Sequence, residues 1–137
     1  MTALSASAAL QSAIYAKLAA DPPLLALLGT PRIYDDAPQD APFPYLTFGA
    51  STARDWSTAT EPGEEHLVTL HVWSRARGRR EAFALVNAIR AALHDQSLAL
   101  VGHRLVNLRQ EFADTRPDPE SDTHHGLVRL RAVSEPL

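Results

Sequence analysis

Six histidines, several proline-flanked carboxylates and a run of four arginines are the side chains of this sequence whose chemistry could be put to use. His66 and His71 are five apart in a stretch of alternating polarity, so on a strand they point to opposite faces and cannot share an ion without a bulge. His124 and His125 are adjacent and diverge for the same reason where the chain is extended, and His94 and His103 fall in separate turns. There is no HExxH pattern, and the carboxylates near the histidines lack ligand spacing, so no metal or other cofactor is expected. Gly49-Ala50-Ser51-Thr52-Ala53 superficially looks like a nucleophile elbow, but that turn needs glycine two residues after the serine and a helix directly following. Ala53 stands in that place and a polar loop follows, so a strand end is expected instead. The six glycines never take the spacing of a phosphate loop. Asp35-Asp36 and Asp118, Glu120 and Asp122 lie in proline-containing loops that hold nothing rigidly enough for acid–base work.

Arg75, Arg77, Arg79 and Arg80 depart from a bland surface. They precede a helix, where positive charge opposes the macrodipole by some tenths of a kcal/mol, and Glu81 offsets only part of it. A cluster placed there at a small cost answers to an acidic partner or phosphate, or else lies solvated over neighbouring apolar surface. Arg129 and Arg131 on the last strand raise the same question more weakly. Ser51 to Glu65 is a polar stretch of about fifteen residues with Trp56 in its middle. A long hairpin connection or a mobile arm is expected: a connection of that length binds something or is disordered, and a tryptophan in it either tucks back onto the body or serves as an interface anchor.

The elements that position these groups can be read from periodicity. Val68, Leu70 and Val72 alternate with Leu67, Thr69, His71 and Trp73, which predicts a strand. Ala82, Leu85, Val86, Ile89 and Leu93 then recur at helical spacing and predict a helix lying on the sheet that contains it. Upstream, Leu10, Ile14 and Leu18, with Ala3 and Ala6 near the same side, predict a helix from about Leu4 to Ala20, with Ser5 or Ser7 as N-cap. Asp21 as cap, Pro22 at the first position and Gly29 past the end bound a second, two-turn helix. Thr30 to Pro44 reads as a loop with a brief extended piece at Arg32-Ile33-Tyr34, and Tyr45 to Ala50 as a strand. Leu98 to Val101 reads as a short strand ending in a Gly102-His103 turn. Arg104 to Ala113 follows, with Val106, Leu108 and Phe112 on one face and Asn107, Arg109 and Glu111 on the other. Thr115 to His125 reads as a loop, and Leu127 to Val133 as a strand with Val128, Leu130 and Ala132 inward. The order predicts one α+β domain over residues 1–137: a mainly antiparallel sheet with helices packed on one face.

Composition sets outer limits. With 137 residues and 45% apolar content, a single domain with a real core is expected. The formal net charge of −3 gives no sign of a nucleic-acid or membrane-surface binder. The chain has no cysteine, which removes disulfides, thiolate catalysis and cysteine-ligated metals and fits a cytosolic origin. The N-terminus shows no basic region before an apolar run, and nothing approaches the ~20 apolar residues of a membrane span.

Taken together, the sequence resembles the tail completion, or tail terminator, family of long-tailed phages and α-proteobacterial gene transfer agents. The segments that carry the resemblance are "DPPLLALLG", "RIYDDAPQDAPFPYLTFG", "LHVWSRARGRREAFALVNAIRAALHD" and "LVGHRLVNLRQEFADTRPDPESDTHHGLVRLRAV", in that order over nearly the whole chain. None is a catalytic motif. The resemblance implies a structural subunit, not an enzyme: a hexameric ring that caps the tail tube, joins it to the head-side connector or stopper protein, and lets DNA pass without specific binding. It implies assembly in the bacterial cytoplasm and residence at the neck of the particle. A small α+β ligand-binding domain or enzyme is the alternative, and a nucleic-acid binder has to overcome the acidic net charge. On the ring reading, Trp56 and Arg75, Arg77, Arg79 and Arg80 are expected at subunit or ring interfaces. Because an arginine-lined lumen would hold phosphates, the cluster is expected to meet carboxylates, with Asp114, Asp118, Glu120 and Asp122 as candidate partners.

Overall fold

The computed structural model describes residues 5–137. Helix α1, Ala6–Ala19, is capped by Ser5, whose hydroxyl accepts from the Ala8 N–H at 3.1 Å. Ala3 and Leu4 lie outside the described residues. The helix is alanine-rich all round, so side-chain size selects the buried stripe of Leu10, Ile14 and Leu18. Helix α2, Pro22–Leu28, starts with the Asp21 carboxylate accepting from the Leu24 N–H and ends at Gly29, whose φ of 84° favours glycine.

The strands are β1 (Ile33–Tyr34), β2 (Tyr45–Asp55), β3 (Glu64–Ser74), β4 (Ala99–Leu100), β5 (His103–Pro117) and β6 (His124–Pro136), with helix α3 (Arg80–Leu93) between β3 and β4. They form one sheet in the order β1-β2-β3-β6-β5-β4, antiparallel except for β1 against β2. The α+β class and the antiparallel sheet are as the sequence predicts. Val68, Leu70 and Val72 of β3 and Val128, Leu130 and Ala132 of β6 meet Leu85, Ile89 and Leu93 of α3 and the α1 stripe in a single apolar cluster. That leaves the other face of the sheet open.

Three boundaries differ from the sequence reading. Residues 51–55 and 64–65 are not a loose arm: they continue the β2–β3 ladder, and β3 stays paired with β6 along its whole length. Only 56–63 connects them. It is braced by Trp56 N–H to Gly63 O at 2.9 Å, Thr58 N–H to Glu61 O at 2.8 Å and Gly63 N–H to Ser57 Oγ at 3.0 Å. The expected loop from Thr115 to His125 shrinks to a turn, because β5 runs to Pro117 and β6 starts at His124. Finally, β5 carries two bulges, between Leu105 and Asn107 and between Gln110 and Phe112. Each inserts one residue and reverses the alternation. Leu108 therefore keeps its place in the core, whereas Val106 is exposed and Phe112 pairs with Arg129 on the open face.

Candidate interaction surfaces

The loop after β3 and the β5–β6 turn stand side by side because β3 and β6 are neighbours in the sheet, with Ser74 opposite His124. Between them lies a cleft of about 810 Å³ whose walls carry Arg75 and Arg77 on one side and Asp118 and Asp122 on the other. The arginine cluster and the acidic turn are therefore brought together within one chain. They are not in direct contact: among the described residues, no carboxylate lies within 4 Å of Arg75, Arg77, Arg79 or Arg80. Arg75 lies over the Phe43 ring, 4.2 Å from its centroid. Arg79 and Arg80 belong to a separate, more open depression with Phe83, which is 56% exposed, and His124.

The four acidic positions differ in kind. Asp114 sits on β5, not in a loop, and its carboxylate is paired with Arg116, which holds its pKa below the usual range. Asp118 organises the turn by accepting from the Glu120 N–H and the Ser121 hydroxyl, both at 3.0 Å. Those hydrogen bonds, the backbone one first, likewise lower its pKa. Glu120 and Asp122 are exposed. Glu81 is engaged at the start of α3, accepting from the buried Ser74 hydroxyl at 2.6 Å.

Trp56 folds back over the open face of the sheet. The Arg54 and Arg131 guanidinium groups lie 5.1 and 5.3 Å from its ring, and both donate to Glu65, at 2.5 and 2.6 Å. The Arg131 hydrogen bond is the main reason the Glu65 carboxyl is held below the ordinary range. One carboxylate thus fixes two cations that together clasp a tryptophan still 47% exposed. Sequence reasoning singled out Trp56 but missed its clasp, because Arg54, Glu65 and Arg131 meet only through strand register.

His66, His71, His94 and His125 are held by local contacts. His66 is buried on the core face with Nε2 2.8 Å from Ser134 Oγ, and its Nδ1 has no hydrogen-bond partner among the described residues. A serine–histidine nucleophile pair needs a third group to orient its imidazole, and among the described residues none bonds His66 Nδ1. His71 and His125 share a hydrogen bond on the open face, and His94 Nδ1 accepts from the Gln110 N–H at 3.0 Å. His66 and His71 do face opposite sides, as their spacing predicts. Among the described residues, no group of three or more metal-ligating side chains converges, and no helix is long and apolar enough to cross a membrane.

The family described as "Tail completion protein gp17" matches residues 12–135 of this chain. The tail completion protein gp17 of Bacillus phage SPP1 is 28% identical over 131 residues, which cover 96% of either chain. Among solved structures, a chain in the virion of a native gene transfer agent particle superposes with a TM-score of 0.86 at 33% identity, covering 96% of this chain and 98% of that one. The structure of SPP1 gp17 superposes with a TM-score of 0.65 at 25% identity, covering 93% and 89%.

Proposed function

The chain belongs to the tail completion protein gp17 family, and on that premise we propose that it is a structural subunit of a phage or phage-like particle. Residues 1–137 act as one domain. Six copies form a ring at the neck that caps the tail tube, joins it to the head-side connector, and lets DNA through without binding it specifically. The subunit is made and assembled in the bacterial cytoplasm. The observation that carries this reading is the end-to-end likeness to a chain of a gene transfer agent virion.

The geometry supports an assembly role in physical terms. The helices and one sheet face form the apolar cluster, so partners are left the open face, the strand edges and the loop ends. Those regions carry the residue types that dominate protein interfaces: Trp56 clasped by arginines, Phe83 beside Arg79 and Arg80, and Phe112 beneath Arg129. The cleft walled by Arg75, Arg77, Asp118 and Asp122 presents both signs of charge to a partner. A net charge of −3 disfavours retention of DNA by the ring as a whole.

The test is a particle preparation from cells lacking this protein. Filled heads and detached tails are expected, and adding the purified chain back should restore joining. Light scattering on the assembled protein should give the mass of six copies. Normal joined particles without the protein would refute the role.

A further inference from the structure

The bulge between Gln110 and Phe112 turns the Phe112 ring out of the core and sets it opposite Arg129 on the open face. The ring is 47% exposed and the Arg129 guanidinium lies 5.3 Å from its centroid. Arg109 and Arg116 occupy the same face of β5, through their pairing with Arg131 and His125. Asp114 satisfies Arg116, while among the described residues Arg109 reaches only the exposed Asp95, at 3.8 Å. Among the described residues, Arg129 has no carboxylate within 4 Å. A half-exposed aromatic ring beneath an unpaired guanidinium is an interface centre awaiting an acidic partner.

The same chain carries a surface of the opposite sign at the far edge of the sheet. The loop after β1 exposes Asp35, Asp36 and Asp40, and among the described residues none has a cation within 4 Å. Among the described residues, Asp35 accepts only the Gln11 amide, at 3.2 Å. The loop is stiff: Pro38, Pro42 and Pro44 fix φ along it, and the N–H of buried Ala41 bonds Pro38 O at 3.0 Å. Stiffness lowers the entropy cost of docking. Within one chain the two surfaces cannot meet, since β1, which the acidic loop follows, and β5 are four strand spacings apart, about 19 Å.

We propose that the Phe112–Arg129 patch of one copy docks against the Asp35–Asp40 loop of a second copy. The inference rests on the ring reading above and names the surfaces that build the ring. The two patches are different and lie on opposite edges, so the contact is head-to-tail. A head-to-tail contact propagates around a ring when its rotation closes. The carboxylates satisfy Arg129 and Arg109, and the exposed Pro38 gives the Phe112 ring an apolar surface to cover.

The absence of cysteine from the sequence makes the contact directly testable. Gln39→Cys and Glu111→Cys place thiols on the two exposed surfaces without touching the charges or the ring that the contact uses. Assembled particles carrying the double variant, treated with a short bismaleimide, should give a ladder of covalent oligomers beyond the dimer. A mixture of the two single variants should give dimers only, and either variant alone should give monomers. Adding Arg129→Glu should cut the ladder at least tenfold, and Asp36→Arg with Asp40→Arg in that background should restore it. Dimers from one single variant alone would mean a two-fold contact and overturn the proposal, as would cross-links to a different protein only. A double variant that stays monomeric in particles holding six copies would overturn it and leave the ring reading standing. Particles holding a single copy would overturn both.

Discussion

His71 Nδ1 and His125 Nε2 lie 2.7 Å apart across β3 and β6, so one imidazole donates its proton to the lone pair of the other. The pair is stacked with Trp73, whose ring centroid is 4.3 Å from that of His125 and whose indole N–H bonds Thr47 at 3.1 Å. Protonating both rings would place two cations at hydrogen-bond distance. Burial lowers the pKa of both rings; for His125, the facing His71 and Arg116 lower it further, while Asp114 and Asp118 oppose them.

These directions fix the sign of a pH dependence. Both folded-state pKa values lie below the ordinary 6.5. The pair's contribution is then fully present above pH 6.5 and is lost as pH falls through the folded values, where the unfolded chain binds more protons. Thermal melting between pH 7 and 5 should show a falling Tm, to which the buried His66 adds through its own lowered pKa. His125→Gln should flatten that slope. The lowered carboxyls of Asp55, Glu65, Asp114 and Asp118 act in a separate window at lower pH. An unchanged slope in His125→Gln would rule the pair out as the source.

Gly49 lies beneath the same pair. A Cβ there would collide with Nε2 and Cδ2 of His71. Gly49→Ala must therefore displace a ring that His125 holds in place, and about 1–3 kcal/mol of stability should be lost, as for other overpacked sites. In a His71→Ala background the same substitution should cost much less. Chemical denaturation of the four proteins in that cycle reads the coupling directly, and additive losses would refute the contact.

The central unit makes the simplest energetic prediction. Leu70 and Ile89 are fully buried in one cluster that joins β3 to α3. Leu70→Ala or Ile89→Ala should each cost about 2–5 kcal/mol, since removing several methyl groups from a packed site forfeits transfer energy and leaves a cavity. Losses under about 1 kcal/mol at both sites would mean that the cluster does not anchor the fold.

What the sequence disclosed follows the physics of each signal. Local signals were complete: Asp21, Pro22 and Gly29 bound α2 as expected, and the switch from period two to helical spacing located β3 and α3. Signals that depend on register were not. Counting alternation from Arg104 groups Phe112 with Leu108 on one face only if the strand is unbroken, and the two β5 bulges cannot be seen in residue types. Residues 51–55 looked like loop because an edge strand lying beyond the core cluster need not alternate apolar and polar residues. The His71–His125 pair and the Glu65 clasp join residues far apart in sequence, so neither left a motif. Of the residues expected at interfaces, the structure places Arg75, Arg77, Asp118 and Asp122 around one cleft and Trp56 on a different surface, over the open sheet face.

The clasp gives Trp56 a spectroscopic reporter. Glu65→Ala removes the carboxylate that aligns Arg54 and Arg131 against the indole. In a Trp73→Phe background, Trp56 is the only tryptophan, and its emission should shift to the red as the ring becomes more hydrated. Glu65→Gln should give a smaller shift, because its amide oxygen still accepts one hydrogen bond. Identical spectra for all three proteins would show that Glu65 does not position the ring.

Arg79 and Arg80 make the sharpest test of where the cluster faces. Both are exposed, neither has a carboxylate within 4 Å among the described residues, and they share a depression with Phe83, itself 56% exposed. The fold does not need them, so Arg79→Glu with Arg80→Glu should leave the melting temperature within a few degrees of the parent. Negative charge at the start of α3 would even complement the helix dipole. If the depression meets a neighbouring subunit or an adjoining ring, the double reversal should weaken assembly or tail joining. A single exposed pair contributes only ~0–1 kcal/mol, but a ring repeats each change in every copy. Counting joined and unjoined particles by electron microscopy measures the effect. Particles that assemble and join normally but fail to deliver DNA would place the cluster at the channel instead, where it would act on phosphates and not on a protein partner.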